Sequence, residues 1–451
     1  MTTKSRHTYK PRKPSYAPGY YPTPVQRNAP IAKTNLLPLA GWLLVFASAF
    51  YAAIKITPIA HGDDWSSLYI GGILAGQGNW HEAYAVDAHD FSLTGSEVWE
   101  QIRQEHTTVN FAHPFVHNPG VALFMAVFSG VFSFTETMYI LTFVSGACAP
   151  LIPAAAYKFW TSKTIPWLYL IPGTLMVWIS EPFNMSLQLG QTTPLILTSC
   201  MLSLALAKDN PVAASLMLSL ATFVKLTPII VIAGLLFIPS TRRAGTYTAL
   251  MAGAWFSSLV VVLHEPIGIW IESLKEHGSA FLVSPINAAI SSVIYAPMRT
   301  NEGVAIVTDV SSSPVTLAMG IIIGITGLVF LRTWHRSRKF PEESFLMLCL
   351  LGPMCVASIL WIHYSVMLIF PLIGILVWGL ERRNWWFVIA SVVCSILLIV
   401  PFDFTYPATW NPVMLVHLGM WIFVVVVVAG MGCRGVSERI GPVPVQQYRH
   451  A

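Results

Sequence analysis

Residues 211–238 read PVAASLMLSLATFVKLTPIIVIAGLLFI, and Lys225 is the one ionisable side chain among them. A helix that crosses a bilayer needs about 20 mainly apolar residues, so the stretch predicts one membrane-spanning helix. A charge inside such a run is rare and usually faces a bundle interior or a cavity. The alternatives for Lys225 are snorkelling to an interface or pairing with an acid such as Glu181. Pro228 removes a backbone donor one turn on and predicts a kink, which suits a cavity wall.

The rest of the chain is of the same kind. Of its 451 residues, 55% are hydrophobic and only 10% charged, whereas soluble domains carry about 25% charged residues. The mean hydropathy is +0.61. These values predict an all-α integral membrane bundle rather than several soluble domains. Twelve apolar segments are candidate spans: 37–57, 118–135, 138–157, 165–181, 191–207, 211–238, 246–263, 314–331, 343–361, 364–380, 385–400 and 413–430. Some are shorter than a full span, so tilt and kinks are expected.

Residues 1–36 carry Lys4, Arg6, Lys10, Arg12, Lys13, Arg27 and Lys33 and no acid. This segment reads as a disordered basic tail held on the cytoplasmic side against anionic lipid, not as a nucleic-acid arm. The first apolar run starts too late, and lacks the small-residue site, for a cleavable signal peptide. The body then spans 37–435, and 436–451 form a second cytoplasmic tail. Twelve crossings place Arg242-Arg243, the 332–339 cluster, Arg382-Arg383 and Arg434 inside, as the positive-inside rule asks. Lys158, Lys163 and Lys208 then fall outside, against that rule, which makes 138–210 the weak part of the topology. The cysteines Cys148, Cys200, Cys349, Cys355, Cys394 and Cys433 form no CxxC pair, so neither a disulfide framework nor a zinc site is indicated.

Two long polar segments, 57–118 and 264–313, face outward in this count. Each is expected to hold interfacial helices, with Trp270, Ile271, Leu274 and Phe281 as an example of the patterning. Loops of that length in a compact bundle usually carry function. No internal repeat supports an inverted-repeat transporter. His61-Gly62-Asp63-Asp64-Trp65 stands at the outer end of the first span. Adjacent carboxylates there are either solvated or one of them, partly desolvated, serves as a general base. His61, His81, His106, His113 and His117 crowd the same loop, but their spacing fits no metal motif, so a divalent cation is not indicated. No Gly-rich phosphate loop is present, which argues against a nucleotide-sugar or ATP enzyme.

A set of ordered motifs over about 60–440 resembles glycosyltransferase family 87, a family of the GT-C superfamily. The motifs are Asp64, Trp65, Tyr69, Gly71-Gly72, Gly76 and Tyr84; His117-Asn118-Pro119-Gly120; Leu189-Gly190-Gln191-Thr192-Thr193-Pro194; Lys225-Leu226-Thr227-Pro228; Ser284 to Ser291; and Trp361-Ile362-His363-Tyr364. Leu68 stands where many members have Tyr, and the match at 117–120 is partial. The resemblance implies a GT-C bundle with outward interfacial helices, in the plasma membrane of a bacterium. It implies transfer of mannose, with inversion, from a polyprenyl-phosphate carrier to a cell-envelope glycolipid or polysaccharide on the outer face. Asp64 would be the general base, favoured over Asp63 by its register to Tyr69 and Gly76. Lys225 and His363 would face the lipid phosphate. Asp63, Tyr69, His117, Asn118, Gln191, Asn287 and Tyr364 would bind substrate, with Trp65 and Tyr69 also able to stack on a sugar. Gln191 has a plainer reading as helix-packing glue. Two rivals stay open: transfer of arabinofuranose from a decaprenyl carrier, and a lipid or sugar transporter or flippase.

Overall fold

The computed structural model describes residues 35–87, 93–110, 112–278, 281–284, 286–295, 305–307, 342–355, 357, 359–401 and 412–438. The tails and the candidate span 314–331 lie outside these residues. Helix α1 (Gly41–Tyr51) continues through a π-helical turn (Ala52–Ile56) and a 3-10 turn (Thr57–Ile59). There follow α2 (Asp63–Gly76), α3 (Trp80–Ala83), α4 (Glu97–His106), α5 (Pro119–Val131), α6 (Phe134–Thr161), α7 (Trp167–Ile179) and α8 (Glu181–Gln188). Next come α9 (Thr193–Leu206), α10 (Pro211–Val224), α11 (Ile229–Phe237), α12 (Arg242–Val262) and α13 (His264–Gly278). The chain closes with α14 (Ile290–Tyr295), α15 (Glu342–Cys355), a 3-10 segment (Ile362–Leu368) running into α16 (Ile369–Glu381), α17 (Trp385–Leu397) and α18 (Pro412–Glu438). Among the described residues five segments are long and apolar enough to cross a membrane: Gly41–Ile59, Phe134–Thr161, Arg242–Val262, Ile362–Glu381 and Pro412–Met431.

The apolar side chains form two main cores. The larger lies among α6, α9–α12 and α15–α18. The second joins α2, α4 and α5 to the start of α6, with Trp270 of α13 packed into it. The first long polar segment thus belongs to a packed layer with its own core. Its tightest seam is α2 against α5, where a Cβ on Gly72 would come within 2.6 Å of the Met125 carbonyl carbon. Only glycine lets the two backbones approach that closely. On α13, Trp270 turns inward and donates to the Val116 carbonyl at 3.1 Å; Ile271 and Leu274 are exposed.

Polar contacts identify one end of the bundle. Lys158 Nζ lies 2.9 Å from Asp209 Oδ2, and Lys208 Nζ lies 2.8 Å from Glu342 and 3.1 Å from Glu343. Ser240 donates to Glu342 at 2.7 Å, beside Arg242 and Arg243. Thr164 donates to the Asn35 carbonyl at 2.6 Å. Lys158, Lys163 and Lys208 therefore share one end with the Arg242-Arg243 pair and with the start of α1. This corrects the expected placement of the three lysines.

The correction has two sources, both of them misread spans. Segment 118–135 does not run from end to end. Asn118 contacts the Phe223 carbonyl at the top of α10, and Phe134 lies against Gly62, so both of its termini are at the far end from Lys208. Segment 211–238 is two helices, not one. α10 leaves the lysine end, breaks at Lys225 in extended geometry (φ −134, ψ 137), and α11 returns toward Ser240. One crossing is lost and one gained, so the direction of α12 is unchanged.

A small departure from the all-α expectation occurs in the second long polar segment. Strands β1 (Phe281–Val283) and β2 (Ala305–Val307) pair antiparallel, with Leu282 opposite Ile306.

Candidate functional site

Two tight loops create the site. Gly62 (φ 75) precedes α2 and Gly190 (φ 70) follows α8, both in the left-handed region that favours glycine. Gly62 N–H donates to the Gln188 carbonyl and Asp64 N–H to that of Leu189, each at 2.9 Å. The loops are thereby clamped side by side. A Cβ on Gly190 would stand 2.7 Å from Trp65 Cβ. Gly190→Ala is expected to cost about 2 kcal/mol or more, from strain and the clash together. A lower thermal midpoint and reduced activity of the detergent-purified variant would show it.

The clamp sets Asp64 beside Gln191, whose Nε2 donates to Asp64 Oδ2. Thr193 Oγ1, at the start of α9, donates to Gln191 Oε1 at 3.3 Å. Lys225 Nζ, at the break between α10 and α11, reaches Thr193 Oγ1 at 3.5 Å. It also donates to the Tyr364 hydroxyl at 3.3 Å and lies 4.9 Å from that ring's centroid. The donors point one way, from the ammonium through hydroxyl and amide to the carboxylate. On its other side, Asp64 Oδ1 is 3.7 Å from His113 Nε2; the two side chains are 22% and 33% exposed, so this edge opens to solvent. Burial, then the Asp64 charge, push the Asp63 carboxyl above the ordinary carboxylate range; His61 and His113 pull it back in part.

Lys225 borders a cavity of about 270 Å³. Its walls are mainly apolar, with Ile196, Leu197, Leu350, Met354, Ile359 and Met367 among them; Thr193, Thr227, Lys225 and Tyr364 supply polar groups.

Other expected residues hold the frame. Asn118 Oδ1 accepts from Gly120 N–H at 3.0 Å and Val121 N–H at 3.3 Å, capping α5, while its Nδ2 caps the end of α10 at Phe223. His117 Nδ1 lies 2.8 Å from the Val224 carbonyl. A carbonyl only accepts, so Nδ1 carries the proton. Burial, and secondly the Lys225 charge, hold His117 down to about 4 against the opposing Val224 bond. A folded value below the unfolded one, near 6.5, means that the unfolded chain binds the proton first. This contact's stability is full above about pH 6.5 and declines as pH falls from there toward about 4. His117→Asn keeps an N–H for Val224 and is expected to shrink the drop in thermal midpoint between about pH 7 and about pH 5.

Asn287 is fully buried. Its Oδ1 accepts from Leu360 N–H at 2.8 Å and Ala289 N–H at 3.1 Å, and its Nδ2 donates to Leu282 at 2.8 Å. It ties the second long polar segment to the residues entering Trp361, where the two stretches meet in a single antiparallel bridge. His363 is 2% exposed. Its ring packs edge-on against Tyr364 and parallel to Trp361, with centroids 4.7 Å and 6.4 Å away. Its Nε2 has no hydrogen-bond partner among the described residues, and it stands outside the cavity lining formed by its neighbours.

Two further residues are packed away from the site. Tyr69 is 3% exposed and donates to the Phe132 carbonyl at 3.1 Å. Trp65 is 6% exposed and donates to Thr137 at 2.8 Å. Both are packed in the second core, so neither face is free to stack on a sugar. Conversely, Thr193 and His113 were not singled out as site residues from the sequence. The signal for Thr193 was its place two residues after Gln191 at a helix entry. Nothing local marked His113 among its neighbouring histidines.

The model of glycosyltransferase family 87 matches residues 115–359, more than half of the chain. No curated protein and no solved structure matches it.

Proposed function

Since the chain belongs to glycosyltransferase family 87, we propose that it transfers mannose from a polyprenyl-phosphate carrier to a hydroxyl of a cell-envelope glycolipid or polysaccharide. The observation that carries this reading is the pairing of Lys225 with Asp64. An ammonium sits at a mainly apolar cavity and is joined to a partly exposed carboxylate by an unbroken run of hydrogen bonds.

An apolar cavity bordered by one cation suits a phosphate carried on a hydrocarbon chain. Depth supports the same donor. Helices α9 and α10 have 14 residues each, about 21 Å at 1.5 Å per residue, against an apolar bilayer core of about 30 Å. With the lysine end on the cytoplasmic side, as positive-inside asks, Lys225 and Thr193 lie below the outer surface. A lipid-borne phosphate reaches that level more readily than a nucleotide sugar.

In the proposed step the acceptor oxygen attacks the anomeric carbon as the bond from that carbon to the phosphate oxygen breaks. The lipid phosphate leaves with the electron pair, held by Lys225. Asp64 Oδ1 takes the acceptor's proton on the solvent side. Tyr364 positions Lys225, and His363, buried outside the cavity lining, packs behind Tyr364 rather than facing the phosphate. Asn118, His117 and Asn287 hold the broken helix and the outer loop in place. Phosphate is a good leaving group, so positioning and nucleophile activation are the main tasks. A single displacement inverts the anomeric centre. Proton NMR of product made from a carrier of defined anomeric form tests this: the opposite configuration supports the reading, and retention sinks the single-displacement mechanism.

A further inference from the structure

We propose that Thr193 is a positioning residue that couples the leaving-group site to the base; this rests on the reading of Lys225 and Asp64 given above. The coupling is a matter of hydrogen-bond direction. An ammonium has three N–H donors and no acceptor, a carboxylate only accepts, and an amide has one end of each kind. Lys225 and Gln191 have no direct bond among the described residues; Thr193 Oγ1 stands between them, 3.5 Å from Nζ and 3.3 Å from Oε1. A hydroxyl is the small group that accepts from the ammonium and donates onward to Oε1.

That donation fixes the amide. With Oε1 committed to Thr193, Nε2 is turned toward Asp64 Oδ2. Were the amide to flip, its oxygen would face the carboxylate and repel it. Thr193 thus keeps one carboxylate oxygen occupied and leaves Oδ1 as the proton acceptor. Its position allows this. Thr193 is 5% exposed and opens α9 just before Pro194, so its hydroxyl bonds sideways rather than back along the helix. The bonds to Thr193 and Tyr364 use two of the three Lys225 donors, which leaves the third for a phosphate oxygen. The relay therefore persists with donor bound.

The test uses the full-length protein in lipid vesicles, comparing wild type with Thr193→Val and Thr193→Ser. Val keeps the shape and removes the hydroxyl; Ser restores it. Two quantities are read: transfer of labelled mannose from polyprenyl-phosphate mannose to membrane glycolipids, and direct binding of farnesyl phosphate as a probe of the phosphate site. Thr193→Val is expected to lower kcat by about tenfold or more with donor KM and farnesyl phosphate affinity within about twofold of wild type, and Thr193→Ser to recover most of kcat. Wild-type kcat in Thr193→Val overturns the proposal. So does a rise in donor KM with unchanged kcat, which would make the hydroxyl a phosphate ligand. An equal loss in Ser and Val, which would make the role steric, also overturns it. Absence of transfer by wild type is a different failure, because it removes the functional reading itself.

Discussion

Asp64→Asn is expected to lower sugar transfer by about two to four orders of magnitude, the range that a positioned general base supplies. The substitution keeps the shape of the side chain and removes its ability to take a proton. It also replaces an acceptor with an amide, so one orientation sets its NH2 against Gln191 Nε2, which now donates to Asp64 Oδ2. The Asp64 backbone N–H still reaches Leu189 at 2.9 Å, so the loop clamp survives and the variant should fold. The assay is transfer of labelled sugar by equal amounts of purified, folded protein. Activity within a factor of about ten of wild type would exclude Asp64 as the base and turn attention to Asp63, whose carboxyl is already held above the ordinary range by burial and by Asp64.

Lys225→Met should be nearly as damaging. Met keeps an unbranched stem against the cavity wall and removes the charge together with the bonds to Thr193 and Tyr364. Charge on the leaving oxygen grows toward the transition state, so an electrostatic contact there acts more on kcat than on ground-state binding. A fall in kcat/KM of about a thousandfold is expected, most of it in kcat. Lys225→Arg should recover part of it, since the charge returns but the planar fork does not match a point contact. Single-turnover and steady-state kinetics on one donor series would measure both. A Met variant whose kcat/KM stays near wild type would place the phosphate elsewhere.

The helical character of the bundle was legible because long apolar runs report segments kept from water, whether in the core or on the outer faces of the spans, and most of the apolar runs read from sequence coincide with helices. Two runs misled for that same reason. Segment 118–135 has one apolar face packed in the second core, with Val121, Ala122 and Met125 buried, and another, with Phe124, Val127 and Val131, exposed, so its hydropathy matches a span although its two termini lie at one end of the bundle. In 211–238 hydropathy continues smoothly through the break, and only Lys225 and Pro228 mark it. The correct weight for those two residues came from contacts at Ser240 and Lys208, far along the chain. The short pairing of β1 with β2 had no alternation long enough to show.

At the site, residue types were easier to read than roles. Asp64, Gln191, Lys225 and Tyr364, each read from a separate motif, lie together on four separate elements. Asn118 and Asn287 look the same as ligands in sequence, yet their amides are spent on backbone caps. Sequence shows the amide and not the carbonyl waiting for it. Tyr69 and Trp65 likewise read as stacking groups, although their polar ends are taken by Phe132 and Thr137.

The most direct test of the central claim is transfer by the purified protein in lipid vesicles. Polyprenyl-phosphate mannose carries the label, the corresponding arabinose carrier runs in parallel, and membrane glycolipids serve as acceptors. The account predicts labelled glycolipid from the mannose carrier, and none when the carrier is omitted. Label remaining entirely on both carriers, across a broad acceptor pool, would contradict it.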